Sequence, residues 1–322
     1  MNTLFSLFFM RLPRGSASRF CLLALRGLIV CGLACPTLAM ATVATGSMAN
    51  ARSQHTASLL ADGRVMVVGG RNSSSSVAEN EIYNPATGTW MPVQRLNAAR
   101  VGHAAVVLPS GDQVLIIGGT VGNEGSAGRM QTASVERCSA FTASACVPMA
   151  SMRVALSGLH ATLLGNGKVL VAGQSSIASN DIGLFDPAAN TWSTMPSPPS
   201  AAVYPSAMLT LADGSAMLIS RNNNGDSFST IFNHITNTWG SAAVSVGTRG
   251  LPLRMPFADN SVLWVGFFSD PSRIAVPPFS TWRPLSAPGN FNTEAGATVA
   301  VSSASRVAVM GGATFGTPDN KI

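Results

Sequence analysis

The chain of 322 residues is 46% hydrophobic and only 11% charged, which excludes an intrinsically disordered protein. Its net charge of +6 is concentrated near the N-terminus, where four arginines have no acidic neighbour; the other sixteen basic and fourteen acidic residues nearly balance. This balance gives no reason to expect nucleic acid or an anionic membrane as a partner. Abundant Gly, Ser, Thr, Val and Ala favour strands and turns over helices.

Residues 1–41 have the features of a secretory signal peptide. An uncharged apolar run from Gly27 to Leu38 follows the arginines, and Ala39-Met40-Ala41 matches the small-x-small cleavage pattern. We expect cleavage near Ala41 and a secreted or periplasmic product, residues 42–322, with no membrane span. An uncleaved membrane anchor is the alternative interpretation.

The stretch from His55 to Gly70 predicts a β-hairpin. Ala57 to Leu60 would form one strand, Ala61-Asp62-Gly63 a tight turn, and Val65 to Val68 a second strand that is apolar on both faces. The closing Gly69-Gly70 marks a place where the backbone bends or is approached too closely for a Cβ atom.

This apolar strand with its closing glycines recurs along the chain. Six versions are present, and their last residues are 46 to 54 positions apart, which is the length of one four-stranded repeat unit. The six versions are Val65–Gly70, Val114–Gly119, Val169–Gly173, Ala216–Ser220, Val262–Gly266 and Val307–Gly312.

A second hairpin follows the first five of these strands. Asn or Asp opens its turn, Gly or Asn precedes the outgoing strand, and Thr-Trp begins that strand. The clearest copies are Ile82–Trp90, Leu184–Trp192 and Ile231–Trp239, and Phe279–Trp282 is a shortened one.

Two cysteines occupy the second copy of this hairpin. Cys138 and Cys146 stand at what the spacing indicates are the Pro and Thr positions, on opposite sides of the turn. We expect a disulfide between them, because export places the chain in an oxidising compartment. Two unpaired cysteines are the alternative.

Two hairpins per repeat make four strands, and such sheets bury their apolar strands by stacking around an axis, so the sequence predicts an all-β fold, a β-propeller. From Arg52 to Gly312 the chain resembles the kelch-repeat proteins, whose blade combines an apolar strand, Gly-Gly, an aromatic residue and a later Trp. The R-x-x-H, D-G and N/D-P-x-T-x-T-W elements resemble the secreted bacterial type.

Six four-stranded blades are expected. Arg100 stands ten residues after Trp90, and counting back ten from Arg52 reaches Thr42. The mature N-terminus would therefore supply the last strand of the sixth blade. Truncation of a seven-bladed parent is the alternative.

Three histidines raise the question of a metal site. His55, His103 and His160 occupy the same place in successive repeats, so rotation around the propeller separates them and a structural role is favoured. Some kelch propellers are copper radical oxidases that resemble galactose oxidase and need a Tyr-His pair, which this chain lacks. We therefore expect no metal, no other cofactor and no oxidase activity; a truncated, inactive relative of those oxidases is one interpretation.

The predicted binding surface consists of the connections between second and third strands, which are polar and differ from repeat to repeat. The resemblance implies that this rim and the arginines before each first strand form a ligand pocket, with the arginines directed toward the central opening. The candidate ligand-binding residues are Arg52, Arg71, Arg100, Asn123, Glu124, Arg129, Asp181, Arg221, Asn223 and Asp226.

Two functions fit this surface. The first is a monomeric, non-enzymatic module that binds a protein or a glycan. The second is a sugar mutarotase resembling the periplasmic kelch epimerase of sialic acid, with Glu124 or Asp181 as acid/base and Arg100 or Arg129 as cationic clamp. We favour the binding module, because the spacing singles out no acid.

Overall fold

The structure is a computed structural model, which describes residues 46–318 except 74, 123–127, 129, 142–144, 175–180, 200–203, 241–243, 248–249, 255–259, 267–272, 285–297, 304–305, 311–312 and 315–316. Strands and turns make up the described part of the chain, and it contains no helix. The leader predicted at residues 1–41 lies outside the described residues.

The first repeat forms a four-stranded antiparallel sheet, whose strands in spatial order are β1 (Thr56–Leu59), β2 (Val65–Val68), β3 (Glu81–Asn84) and β4 (Thr89–Pro92). Every side chain of β2 is buried, because this strand has a neighbour on both edges and packs on both faces. Gly63 adopts a φ of 84° in the turn before β2. The predicted hairpin is confirmed, with its first strand one residue earlier than expected.

The second repeat contains two sheets. Its strands are β5 (Arg100–Val101), β6 (Ala104–Val107), β7 (Gln113–Ile117), β8 (Thr120–Val121), β9 (Met130–Gln131), β10 (Val135–Ser139) and β11 (Val147–Met149). The strands β6, β7, β10 and β11 repeat the four-stranded arrangement, while the short strands β5, β8 and β9 form a separate three-stranded sheet.

Three further repeats follow the same plan. The third contains β12 (Ser157–Leu163), β13 (Val169–Gln174), β14 (Asp181–Asp186) and β15 (Thr191–Thr194). The fourth contains β16 (Tyr204–Thr210), β17 (Ala216–Arg221), β18 (Ser227–Asn233) and β19 (Thr238–Trp239), and β20 (Val244–Gly247) also pairs with β18. The fifth contains β21 (Gly250–Arg254), β22 (Val262–Gly266), β23 (Arg273–Ala275) and β24 (Arg283–Pro284).

The last described strands belong to the sixth repeat. They form two antiparallel pairs, β25 (Thr298–Ser303) with β26 (Arg306–Met310) and β27 (Ala313–Thr314) with β28 (Thr317–Pro318). The segment predicted to close the ring, from residue 42, begins outside the described residues. The number of six blades and the closure by the N-terminus therefore stay predictions.

The apolar cores lie between consecutive sheets. Met66 of the first sheet shares a core with Ile116 of the second, and Ile117 shares the next core with Val171 of the third. The first strands of these sheets are also neighbours, β1 beside β6 and β6 beside β12, and the contacts continue to β16 and β21. Four-stranded sheets stacked around their first strands form a β-propeller, as the sequence predicted.

A cross-strand aromatic pair recurs where the third strand meets the fourth. The pairs, with the distances between ring centroids, are Tyr83 and Trp90 at 5.1 Å, Phe185 and Trp192 at 4.8 Å, and Phe232 and Trp239 at 5.1 Å. In the second repeat Cys138 lies opposite Val114, as Tyr83 lies opposite Val65, and it forms a disulfide with Cys146. The disulfide thus takes the place of the aromatic pair.

The disulfide itself is confirmed, but the positions assigned to the two cysteines were wrong. They replace the aromatic residue and the tryptophan rather than the Pro and Thr of the turn. The loop between the third and fourth strands is one residue longer in this repeat than in the first repeat. Counting residues along the sequence therefore assigns the two cysteines to the wrong positions of the hairpin.

Replacement of both cysteines by alanine is expected to lower the free energy of unfolding by about 2 to 3 kcal/mol, because the unfolded chain loses its crosslink. The packing of Asn80 is lost too, since its Nδ2 lies 3.7 Å from Cys138 Sγ and 3.6 Å from Cys146 Sγ. Urea denaturation measures the difference. A reductant should destabilise the parent protein and leave the variant unchanged; equal responses would contradict the prediction.

Candidate functional site

The propeller has two ends with different connections. We call one end the loop face: it carries the connections from second to third strands, such as 69–80, 118–134 and 222–226, and those that enter the first strands, such as 93–103 and 150–156. The other end, the turn face, carries the tight turns within hairpins, such as 233–238. Antiparallel pairing places these connections at opposite ends of each sheet.

Arg52 forms a buried ion pair beneath the loop face. Its Nη2 donates to Glu81 Oε1 at 2.5 Å, and its Nη1 donates to the carbonyls of Gly69, at 3.1 Å, and Glu79. Its Nε donates to the carbonyl of Asn50 at 3.1 Å. The guanidinium group thus joins the chain before β1 to the end of β2 and the start of β3.

Arg100 repeats this arrangement in the second blade. Its Nη2 donates to Glu136 Oε1, and its Nη1 donates to the carbonyls of Gly118 at 3.0 Å and Ser134 at 3.2 Å. Asn97 completes the pair, since its backbone N–H and its Nδ2 each donate to Glu136 Oε2 at 2.8 Å. Burial lowers the pKa of the Arg100 guanidinium, and the charge of Glu136 acts in the opposite direction.

These contacts differ from the role expected for the two arginines. Their side chains are 0% and 1% exposed, and each donates hydrogen bonds to its own blade. The glutamates near the start of the third strands, Glu81 and Glu136, hold the two guanidinium groups in contacts within their own blades. That Arg52 and Arg100 point toward the central opening stays a prediction. Glu81 and Glu136 were not singled out by the sequence analysis, although each stands two residues before the Tyr83 or Cys138 position.

The glycine pair and the histidine pack against each other. A Cβ atom on Gly70, at a φ of 91°, would lie 2.6 Å from the carbonyl oxygen of Ser53 and 2.9 Å from His55 Cβ. A Cβ atom on Gly69 would lie 2.7 Å from His103 Cε1 of the next blade. The glycines are therefore required by close packing, and His55 and His103 have the structural role that was favoured.

His103 is held neutral by this packing. Burial, together with the charges of Arg100 and His55, lowers its pKa from 6.5 to about 3. Its Nε2 shares a hydrogen bond of 2.8 Å with the hydroxyl of Thr56 in the preceding blade. The ring thus bridges the first strands of two blades.

The other described candidates are spread over three blades. Arg71 is half-buried, and its backbone N–H donates to Ser53 O at 2.9 Å in the first blade. Asp181 begins β14 opposite Gly173. Arg71 thus lies beside the chain that follows Arg52, while Asp181 belongs to another blade. Asn123, Glu124 and Arg129 lie outside the described residues.

The fourth blade has a tighter connection than expected. Its strands extend to Arg221 and Ser227, so only a short turn remains. Asp226 is part of this turn, because Asn222 Oδ1 accepts its backbone N–H at 2.9 Å, while Asn223 is exposed at the tip. Arg221 is half-buried, and its Nε has no hydrogen-bond partner.

The described residues contain no group of three or more His, Cys, Asp or Glu side chains arranged to hold a metal ion. Nor does this part of the chain include a helix with the length and hydrophobicity to cross a bilayer.

Comparison with known families gives two matches. A kelch motif spans residues 52–97, and a second kelch motif spans residues 157–199. The chain carries kelch repeats. No curated protein matches the chain significantly. Each matched kelch repeat contains an aromatic–tryptophan pair, and the blade with the disulfide lies between them.

The contributions of Arg100 and Glu136 to the free energy of unfolding should depend on each other. Arg100→Met is expected to cost about 3 to 5 kcal/mol, because it leaves Glu136 buried without its counter-charge. Glu136→Leu should cost a similar amount, and the double variant clearly less than the sum. The exposed pair of Arg95 and Glu79, 3.7 Å apart, is the control, and Arg95→Met should cost less than about 1 kcal/mol. Additive costs at Arg100 and Glu136, measured by denaturation, would contradict the coupling.

The neutral His103 should make the protein acid-sensitive. Between pH 6.5 and about 3 the unfolded chain binds a proton at this ring that the folded chain does not bind, so the free energy of unfolding falls as the pH falls. Urea denaturation at several pH values measures the slope. The slope should be smaller in His103→Asn, and an unchanged slope would rule out this ring as a cause.

Proposed function

We propose that the protein is an exported, monomeric, non-enzymatic module that binds a protein or a glycan through its loop face. Kelch repeats commonly mediate protein binding, and the first two described blades offer a formed surface at this end. The proposal does not depend on Arg52 or Arg100 as ligand contacts. It assigns those arginines to the support beneath the surface.

The observation that carries the proposal is a ridge on the loop face, which we define as the sheet of β5, β8 and β9. Residues Thr120–Val121 pair with Arg100–Val101 on one side and with Met130–Gln131 on the other. Ser76 of the first blade donates a hydrogen bond of 2.9 Å to the carbonyl of Gly122 beside the ridge. The connections of two blades thereby form one continuous surface.

The ridge combines an exposed apolar side chain with a rigid base. Met130 is 64% exposed although its backbone is paired in a strand. The base is held by the buried pair of Arg100 and Glu136, since Arg100 is itself part of β5. A preorganised surface loses little conformational entropy on binding, which favours recognition of a partner.

Two further features support export. The predicted signal peptide directs the chain out of the cytoplasm, and the buried disulfide between Cys138 and Cys146 is typical of an oxidising compartment. Together with the kelch repeats, these features fit the secreted bacterial type of kelch propeller and a mature chain that begins near Thr42.

Site-specific crosslinking in the producing cells tests the proposal. A photoreactive amino acid at Met130 is expected to capture a reproducible partner, because this side chain is the exposed apolar group of the ridge. Ile235, which is 78% exposed on the turn face, is the matched control and should capture none. Mass spectrometry identifies the captured protein.

A second measurement completes the test. Met130→Ser should weaken binding of the captured partner about ten-fold or more, as for an interface residue that anchors a partner, while Ile235→Ser should leave it unchanged. Equal capture at both positions, or an affinity that Met130→Ser does not change, would overturn the proposal.

A further inference from the structure

A cavity of about 180 Å³ lies in the third blade, between the segment that enters β12 and the strands β13, β14 and β15. Its floor consists of buried apolar side chains and its mouth of exposed polar ones. Met152, Leu156 and Val171 belong to the floor, Trp192 forms one wall, and Arg153, Ser193 and Thr194 are at the mouth. Val154, Ile182 and Gly183 complete the lining.

This cavity occupies the place that the buried ion pairs have in the first two blades. Gly183 lies opposite Val171, as Glu81 lies opposite Val67 and Glu136 opposite Ile116. The residue three positions before His160 is Ser157, where the earlier repeats have Arg52 and Arg100. Both members of the pair are therefore replaced by small residues in the third blade.

The indole of Trp192 gives the cavity a fixed aromatic wall. Its Nε1 donates a hydrogen bond of 2.8 Å to the carbonyl of Ala150, and its ring packs on Phe185. A Cβ atom on Gly183 would lie 2.9 Å from this ring, so the indole fills the space above the glycine. The wall is thus positioned without a ligand, which lowers the entropy cost of binding.

Size and chemistry restrict what the cavity can hold. A cavity of roughly 150 Å³ lined by apolar side chains accommodates one benzene ring. The aromatic wall favours stacking of a flat ring. At the mouth, the lining contains one cation and two hydroxyl groups but no acid, which complements a carboxylate. Arg153 can contact a ligand while keeping its contacts within the chain, because a guanidinium group has five N–H donors.

The geometry points to a binding site for a small aromatic carboxylate in the third blade. The ring lies on the apolar floor against Trp192, and the carboxylate lies at the mouth beside Arg153. This site shares no residue with the ridge, so either assignment can fail without the other.

Titration of the full chain with benzoate tests the site. The indole N–H resonance of Trp192, assigned with Trp192→Phe, should shift in a saturable manner with a Kd of about 1 mM, as expected for a ligand of this size. Val154→Phe should abolish the shift by filling the cavity. Val93→Phe changes a half-buried valine outside the cavity and should retain binding.

Two further probes separate the ring from the charge. Acetate should not bind, because it lacks the ring, and benzyl alcohol should bind about three-fold more weakly than benzoate. Arg153→Gln should remove that three-fold difference. The site is overturned if benzoate gives no saturable shift or if Val154→Phe binds it equally well. An unchanged preference for benzoate in Arg153→Gln would overturn the role of Arg153.

Discussion

The buried pair of an arginine before the first strand and a glutamate at the start of the third strand organises the first two blades. In the first blade, Arg52 reaches Glu81 and the carbonyl of Gly69, so one side chain holds three segments that are far apart in the sequence. The guanidinium group is buried and not in open solvent, so its ionic contacts are hardly screened. The ion pair therefore fixes the ends of the connections that form the loop face, and any binding surface on this face depends on it.

Other contacts are exchangeable between blades. A disulfide in the second blade takes the register position of the aromatic–tryptophan pair, which shows that this position requires a link between the third and fourth strands rather than a particular side chain. The ion pair is lost as a unit in the third blade, where Gly183 stands at the glutamate position. Loss of one partner alone would leave a buried charge, which is far more costly than loss of both.

The hairpins could be predicted from the sequence, because turn residues such as Asp62-Gly63 favour a tight turn and the apolar run Val65–Val68 favours a buried strand. The disulfide could also be predicted. The positions of its cysteines in the hairpin could not, because the loop of this repeat is one residue longer than in the first repeat. The role of Arg100 could not be predicted in this way. Its partner Glu136 is 36 residues away, and only strand pairing places the two side chains in the same space.

The contact between Gly69 and His103 has a consequence for how the chain divides. The glycine belongs to one blade and the ring to the next, and Gly70 also donates a backbone hydrogen bond of 2.9 Å to Arg100 O. Cutting the chain between two repeats would thus separate the backbone at Gly69 from the His103 ring that packs against it. Single repeats are therefore not autonomous units, because the adjoining blade supplies half of this contact.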